Sequence, residues 1–204
     1  KNSNGIFHCR NLDWWTENNM LSSYSKIFNY QRNGKTIFKT VGWIGFIGSL
    51  SGIKPGKFSI TLNAVLSNDK PGIAFPVSFL IREVLNNSNS FDEAKQVLTN
   101  TTIASDCLLL LSGIKADEML VIERTPKRTA LRNSDENFLI VTNDYKKIEN
   151  NSTEQSILQS SSCGRYNRTL ELLSNKIPSK ISECFGILKD EKIIMGITVQ
   201  QMIF

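Results

Sequence analysis

The sequence predicts an α+β domain built from two layers of sheet covered by helices. Three observations predict it. Strand-like segments fall into two groups, an alternating one between Lys26 and Asn63 and a more continuously apolar one between Cys107 and Thr142. Each group is followed by a pair of segments with helical spacing. A final apolar run, Ile193 to Phe204, ends the chain as one more strand. Sheets and helices in that order bury their apolar faces against one another in stacked layers. No linker, repeat or shift in composition divides the 204 residues, of which 40% are hydrophobic, so residues 1–204 read as a single domain.

Ile6 to Cys9 reads as a short apolar strand. Arg10, Asn11 and Asp13 follow it at once, and then the pair Trp14-Trp15. A cation, an amide and an anion at a strand end are the kind of residues that loops use for chemistry. A solvated ion pair at i and i+3 is the plainer reading of Arg10 and Asp13. Lys26 to Gln31 alternates apolar and polar, Asn33-Gly34 is a two-residue hairpin turn, and Thr36 to Val41 is the returning strand. The glycine-spaced stretch Gly42 to Gly52 lacks the Gly-Lys-Ser/Thr of a phosphate loop and carries Leu50 at its would-be nucleophile position. It reads as an apolar strand or ledge where glycine lets backbone approach closely.

Pro55-Gly56 is a turn, and Lys57 to Asn63 is a strand that ends at Asn63. Ser67 to Pro76 is a polar loop. Ser78 to Asn86 has helical spacing, and Ser90-Phe91-Asp92-Glu93 is a capping box that opens a helix to about Leu98. Strands follow at Cys107–Ser112, Met119–Arg124, Thr129–Arg132 and Phe138–Thr142. The last, Phe-Leu-Ile-Val-Thr, is apolar enough for the centre of a sheet and ends at Asn143. Lys146 to Ser160 reads as a surface excursion. Tyr166 to Ser174 is a helix with Leu170 and Leu173 inward and Arg165 at its start, and Ser179 to Leu188 is a second helix.

Composition excludes several classes of function. The formal net charge of +5 is dispersed, and the densest basic patch, Arg124 to Arg132, comes with no nucleic-acid-binding signature. No nucleic-acid partner is expected. One histidine and four scattered cysteines (9, 107, 163 and 184) make no zinc pattern, so no metal and no cofactor are expected. Cys107, inside an apolar strand, reads as an inert core thiol. No window is apolar enough to span a membrane, and none long enough for a signal peptide follows Lys1. Asn-x-Ser/Thr acceptors at Asn86, Asn100, Asn150, Asn151 and Asn167 leave the compartment open.

Four fragments stand in a fixed order: His8-Cys9-Arg10-Asn11-Leu12-Asp13-Trp14; Gln31 to Thr36; Gly52 to Asn63, containing Lys54-Pro55-Gly56-Lys57-Phe58-Ser59-Ile60-Thr61-Leu62-Asn63; and Val141-Thr142-Asn143-Asp144-Tyr145. Together they resemble the acid ceramidase and N-acylethanolamine acid amidase branch of the N-terminal-nucleophile hydrolases, which is related to choloylglycine hydrolase and penicillin V acylase. The resemblance covers essentially the whole chain. It implies a four-layer αββα sandwich and a precursor that cuts itself to expose an N-terminal cysteine. It also implies an N-acyl amide as small-molecule substrate, peripheral contact with lipid and association with a cleaved N-terminal propeptide or α subunit. The implied location is lysosomal or secreted in a eukaryote, and cytoplasmic or periplasmic otherwise.

The resemblance assigns roles residue by residue. Arg10 stands beside the nucleophilic sulfur, and Asp13 orients the α-amino group. Asn143 donates to the oxyanion, Arg165 matches the arginine of a Ser-x-x-Arg element, and Asn63 is a further polar site residue. Apart from the family, Asn143 reads as a turn residue after a strand and Arg165 as a surface arginine at a helix start. Trp14 and Trp43 suit a fatty acyl chain and suit a core equally well.

There are departures from the family pattern. The cysteine that starts the family's catalytic subunit is expected a few residues before Lys1, and the sequence looks clipped at both ends. Cys9 stands where the family has glycine and reads as a packing variant, because an internal thiol lacks the α-amino base. Ala64 replaces a glutamate, and Asp144-Tyr145 inverts the usual order. Three functions remain: a cysteine amide hydrolase, an acyltransferase of the same fold, and a non-catalytic relative that binds an acyl chain.

Overall fold

The structure is a computed structural model that describes residues 5–133, 136–151 and 156–204. Its larger sheet has seven antiparallel strands in sequence order: β2 (Ser25–Arg32), β3 (Lys35–Trp43), β4 (Ser51–Lys54), β5 (Phe58–Asn63), β6 (Cys107–Ser112), β7 (Met119–Arg124) and β8 (Thr129–Arg132). Adjacent strands joined by short turns explain this meander. Asn33 and Gly34 both take positive φ, 51° and 74°, as the β2–β3 hairpin turn requires. Gly56 at φ 68° closes β4 onto β5.

One face of this sheet carries the main core. Phe38, Phe58, Ile60, Leu109, Leu111, Leu120 and Ile122 pack under α2 (Val77–Asn87) and α3 (Phe91–Asn100). Leu80, Ile81, Val84 and Leu85 recur at helical spacing and are buried, which fixes the face that α2 presents. The Ser90 side chain accepts from the Glu93 N–H and caps α3. A Cβ on Gly52 would stand 2.4 Å from Leu85 Cδ1 and 3.0 Å from the Lys39 oxygen, so only glycine lets α2 come this close to β4.

The opposite face meets a two-stranded antiparallel sheet, β1 (Cys9–Asp13) with β9 (Thr198–Ile203). Leu12, Trp43, Leu50, Val199 and Met202 fill the space between the sheets. Beyond it lie α4 (Ile157–Asn175) and α5 (Ile181–Leu188), with α5 packed on both β1 and β9. The layers run helix, sheet, sheet, helix, the αββα sandwich that was expected. A short helix, α1 (Met20–Tyr24), precedes β2.

Four local expectations are corrected. First, the opening strand is Cys9–Asp13 rather than Ile6–Cys9, so Arg10 and Asp13 lie within the strand and not in a loop after it. Second, Gly42 to Gly52 is not one strand or ledge: β3 ends at Trp43, a turn intervenes, and β4 begins at Ser51. Third, Phe138–Thr142 is not a strand. Among the described residues it has no ladder partner, and side chains serve its carbonyls instead. Arg132 Nη1 donates to Ile140 O at 2.8 Å and Asn63 Nδ2 to Thr142 O at 3.0 Å. Fourth, α4 starts at Ile157, because Ser156 and Gln159 form a capping box there. Arg165 therefore lies mid-helix, and Leu170 is exposed rather than inward.

The three arginines of the basic patch bond within the fold. Arg124 donates to Leu98 O and Thr101 O, Arg132 pairs with Glu123 at 3.2 Å, and Arg128 pairs with Asp69 at 2.8 Å.

Candidate active site

The second sheet and the extended 138–143 segment leave a cavity of about 540 Å³ between them. Its walls are largely apolar, with Phe138, Leu139, Leu158, Leu173, Ile177 and Ile187 among them. Arg10, Asp13, Asn63, Asn143 and Arg165, five of the residues singled out from the sequence, line the same cavity.

Arg10 reaches this position because strand alternation sends it to the inner face of β1 together with Leu12. It is only 6% exposed. Its guanidinium donates to Leu50 O, Ser51 Oγ and Leu62 O, which ties β1 to β4 and β5. Burial lowers its pKa to about 9, opposed by the Asp13 charge, so it remains a cation at neutral pH. This is not a solvated surface pair. Asp13 accepts from Thr198 Oγ1 at 2.5 Å, which fixes its carboxylate against β9.

Asn143 is 5% exposed and is held from three sides. Its N–H donates to Ser162 Oγ at 2.9 Å, its Nδ2 to Ala64 O at 2.7 Å, and its Oδ1 accepts from Arg165 Nη2 at 2.7 Å. An amide NH₂ has two hydrogens, and Ala64 takes one. Arg165 also donates to Ser161 Oγ at 3.1 Å and Leu158 O at 2.8 Å. Burial holds its pKa below the usual range, with Asp13 and Asp144 opposing. Ser162, fully buried, donates to Thr142 Oγ1 at 2.8 Å while accepting from Asn143. One turn of helix separates Ser162 from Arg165, so both reach the 142–143 segment from the same side of α4.

The tryptophans divide. Trp14 and Trp15 are exposed and line the cavity. Trp43 does not line it; it is 6% exposed in the core between the sheets, edge-on to Trp14 at 5.7 Å. Trp43, expected from the sequence as a substrate-binding residue, is corrected to a core residue.

Two buried polar residues were not singled out. His8 Nδ1 and Nε2 hydrogen-bond to the Ser59 and Thr61 hydroxyls at 2.7 and 2.9 Å, joining β5 to the chain entering β1. Burial, aided by the Arg10 charge, lowers its pKa to about 3, so it is neutral. Glu123, with no exposed surface, accepts the backbone N–H groups of Lys146, Lys147 and Ile148 as well as Arg132 Nε. It anchors the chain just after Asn143. The only hint in the sequence was Glu123, a charge that follows four apolar residues and precedes Arg124 at the end of β7.

Comparison with known proteins identifies the family and the fold. The model of a family described as acyl-coenzyme A:6-aminopenicillanic acid acyl-transferase matches residues 1–197. Acid ceramidase from Balaenoptera acutorostrata scammoni is 37% identical over 142 residues, which are 58% of this chain and 36% of that protein. The matched stretch thus spans little more than a third of that relative. The Caenorhabditis elegans ortholog of N-acylethanolamine-hydrolyzing acid amidase superposes with a TM-score of 0.82 at 23% identity, covering 100% of this chain and 89% of that one. A mutant conjugated bile acid hydrolase from Clostridium perfringens gives a TM-score of 0.59 at 16% identity, covering 92% of this chain and 74% of that one. The two structural likenesses concern the fold.

Proposed function

The chain belongs to the acyl-coenzyme A:6-aminopenicillanic acid acyl-transferase family, on the acid ceramidase and N-acylethanolamine acid amidase branch of the N-terminal-nucleophile hydrolases, and from that premise we propose that it forms most of the catalytic subunit of a cysteine amidase acting on a fatty-acyl amide. The observation that carries the reading is the convergence of Arg10, Asp13, Asn63, Asn143 and Arg165 on the polar part of an otherwise apolar cavity. An acyl chain suits the apolar walls, and its amide carbonyl suits the polar cluster.

The nucleophile is an N-terminal cysteine on a strand preceding residue 1 in the longer protein. Its free α-amino group takes the thiol proton, and Asp13 orients that amino group. Arg10 favours the thiolate. The thiolate adds to the amide carbon, and the second hydrogen of Asn143 Nδ2 stabilises the oxyanion. Arg165 holds Asn143 by its Oδ1, and Asn63 holds the preceding carbonyl. The C–N bond breaks as the amine takes the proton, leaving a thioester. Water then adds, and the acid leaves with the thiol restored.

The test is a protein extended to begin at the upstream cysteine, assayed on a panel of N-acyl amides for release of acid and amine. Turnover that falls about 100-fold in Arg10→Ala supports the reading. Adding a primary amine distinguishes hydrolysis from the acyl transfer that the family description names. Equal turnover by a protein with that cysteine replaced by alanine would overturn the mechanism, and binding without turnover would favour a non-catalytic acyl-binding protein.

A further inference from the structure

We propose that Cys9 and Cys184 are a disulfide site that staples α5 to β1 along the wall of the cavity. The inference does not depend on the activity proposed above.

The placement follows from register. On β1, Cys9 and Asn11 share the face opposite Arg10 and Leu12, before the register shift between Leu12 and Asp13. Asn11 Nδ2 donates to Leu188 O at 2.8 Å, so this face looks onto α5. Cys9 lies two residues before Asn11, a step of about 6.7 Å along a strand. Cys184 lies four residues before Leu188, a step of about 6 Å along a helix. Gln201, opposite Asn11 across the ladder, also donates to Leu188 O, at 3.1 Å. Cys184 lies one helical turn before Leu188, on the buried side of α5 that packs against β1 and β9. Each thiol is among the groups that shift the other's pKa, which marks the two as neighbours. Both are free, and both line the cavity.

The other two cysteines make the contrast. Cys107 is enclosed in the main core, and Cys163 is exposed on α4, where Asn167 Nδ2 donates to it at 3.6 Å. Cys9 is half-buried, Cys184 is buried, and both residues line the cavity.

The chemistry is thiol–disulfide exchange with a small-molecule disulfide such as glutathione disulfide. The Cys9 thiolate attacks one sulfur of the reagent and expels one glutathione thiolate. Cys184, as thiolate, then attacks the Cys9 sulfur of the mixed disulfide and expels the second. Two protein thiols lose two protons and two electrons, and one reagent disulfide becomes two thiols. Burial keeps both protein thiols protonated, so the exchange is slow. That suits a staple formed under standing oxidising conditions better than a fast sensor. It joins positions 175 residues apart, a long loop to constrain in the unfolded chain.

The test is prolonged incubation of the native protein with glutathione disulfide at mildly alkaline pH, quenching by alkylation, and peptide mass spectrometry without reduction. The expected product is a Cys9–Cys184 cross-linked peptide pair, two hydrogens lighter than the sum of its reduced peptides and abolished by dithiothreitol. It should raise Tm relative to the reduced protein. In Cys184→Ala, Cys9 should instead accumulate a single glutathione. The proposal is overturned if both thiols of the wild type stay alkylatable, if each carries its own glutathione, or if either pairs with Cys163.

Discussion

His8 is neutral and enclosed, which makes stability acid-sensitive in a way one substitution can isolate. Its folded pKa is about 3, against 6.5 when exposed. Between those values the unfolded chain binds a proton that the folded chain refuses, so stability is full above about pH 6.5 and declines as pH falls toward about 3. Integrating over one group, the loss from about pH 7.5 to about pH 5 is roughly 2 kcal/mol. The cause is burial at 2% exposure beside the Arg10 cation. Urea unfolding of the wild type and of His8→Gln at both pH values measures it. His8→Gln lowers stability at the higher pH by weakening the bonds to Ser59 and Thr61, but it removes the histidine's share of the slope. The two proteins should therefore differ by roughly 2 kcal/mol less at the lower pH than at the higher one. Parallel losses in both would refute the reasoning, because the imidazole would then titrate as freely folded as unfolded.

Glu123→Ala strands the Lys146, Lys147 and Ile148 N–H groups and leaves the Arg132 cation without its partner, so it should cost about 4–6 kcal/mol in urea unfolding, with Glu123→Gln losing distinctly less. Lys54 Nζ donates to Asn86 O, Ser88 O and Asn89 Oδ1 at the end of α2; Lys54→Met should cost about 1–3 kcal/mol and speed amide hydrogen exchange in the last turn of α2. In the cysteine-led protein, Asn143→Ala should lower kcat by about 10²–10³ with a smaller change in KM, as measured by release of acid from an N-acyl amide.

The fold was legible where local chemistry decides structure. Asn33-Gly34 marks its hairpin because few other pairs accept positive φ at both positions, and Ser90 with Glu93 marks the start of α3. The continuous apolar runs of β6 and β7 were equally plain. Phe138–Thr142 was misjudged because apolarity shows that a segment is buried, not that a strand stands beside it. The start of α4 was missed although Ser156-x-x-Gln159 is a capping signature, because the polar run around it reads as loop. Among the site residues, Arg10, Asp13, Asn63, Asn143 and Arg165 were named through family resemblance, and they do share one cavity. Spacing alone could not have joined Asn63 to Thr142, 79 positions apart. His8 and Glu123 escaped for the same reason: each is explained by partners contributed from elsewhere in the chain, Ser59 and Thr61 for one and residues 146–148 for the other.

The central claim is that this cavity holds an N-terminal cysteine that carries the acyl group. Intact-mass spectrometry of the cysteine-led catalytic subunit, acid-quenched during turnover of an N-acyl amide, tests it directly. The account predicts a mass increase equal to the acyl group, mapped to the N-terminal residue, removed by hydroxylamine and strongly reduced in Arg10→Ala. Steady turnover with the N-terminal cysteine unmodified, or an adduct mapped to Cys9, would contradict it.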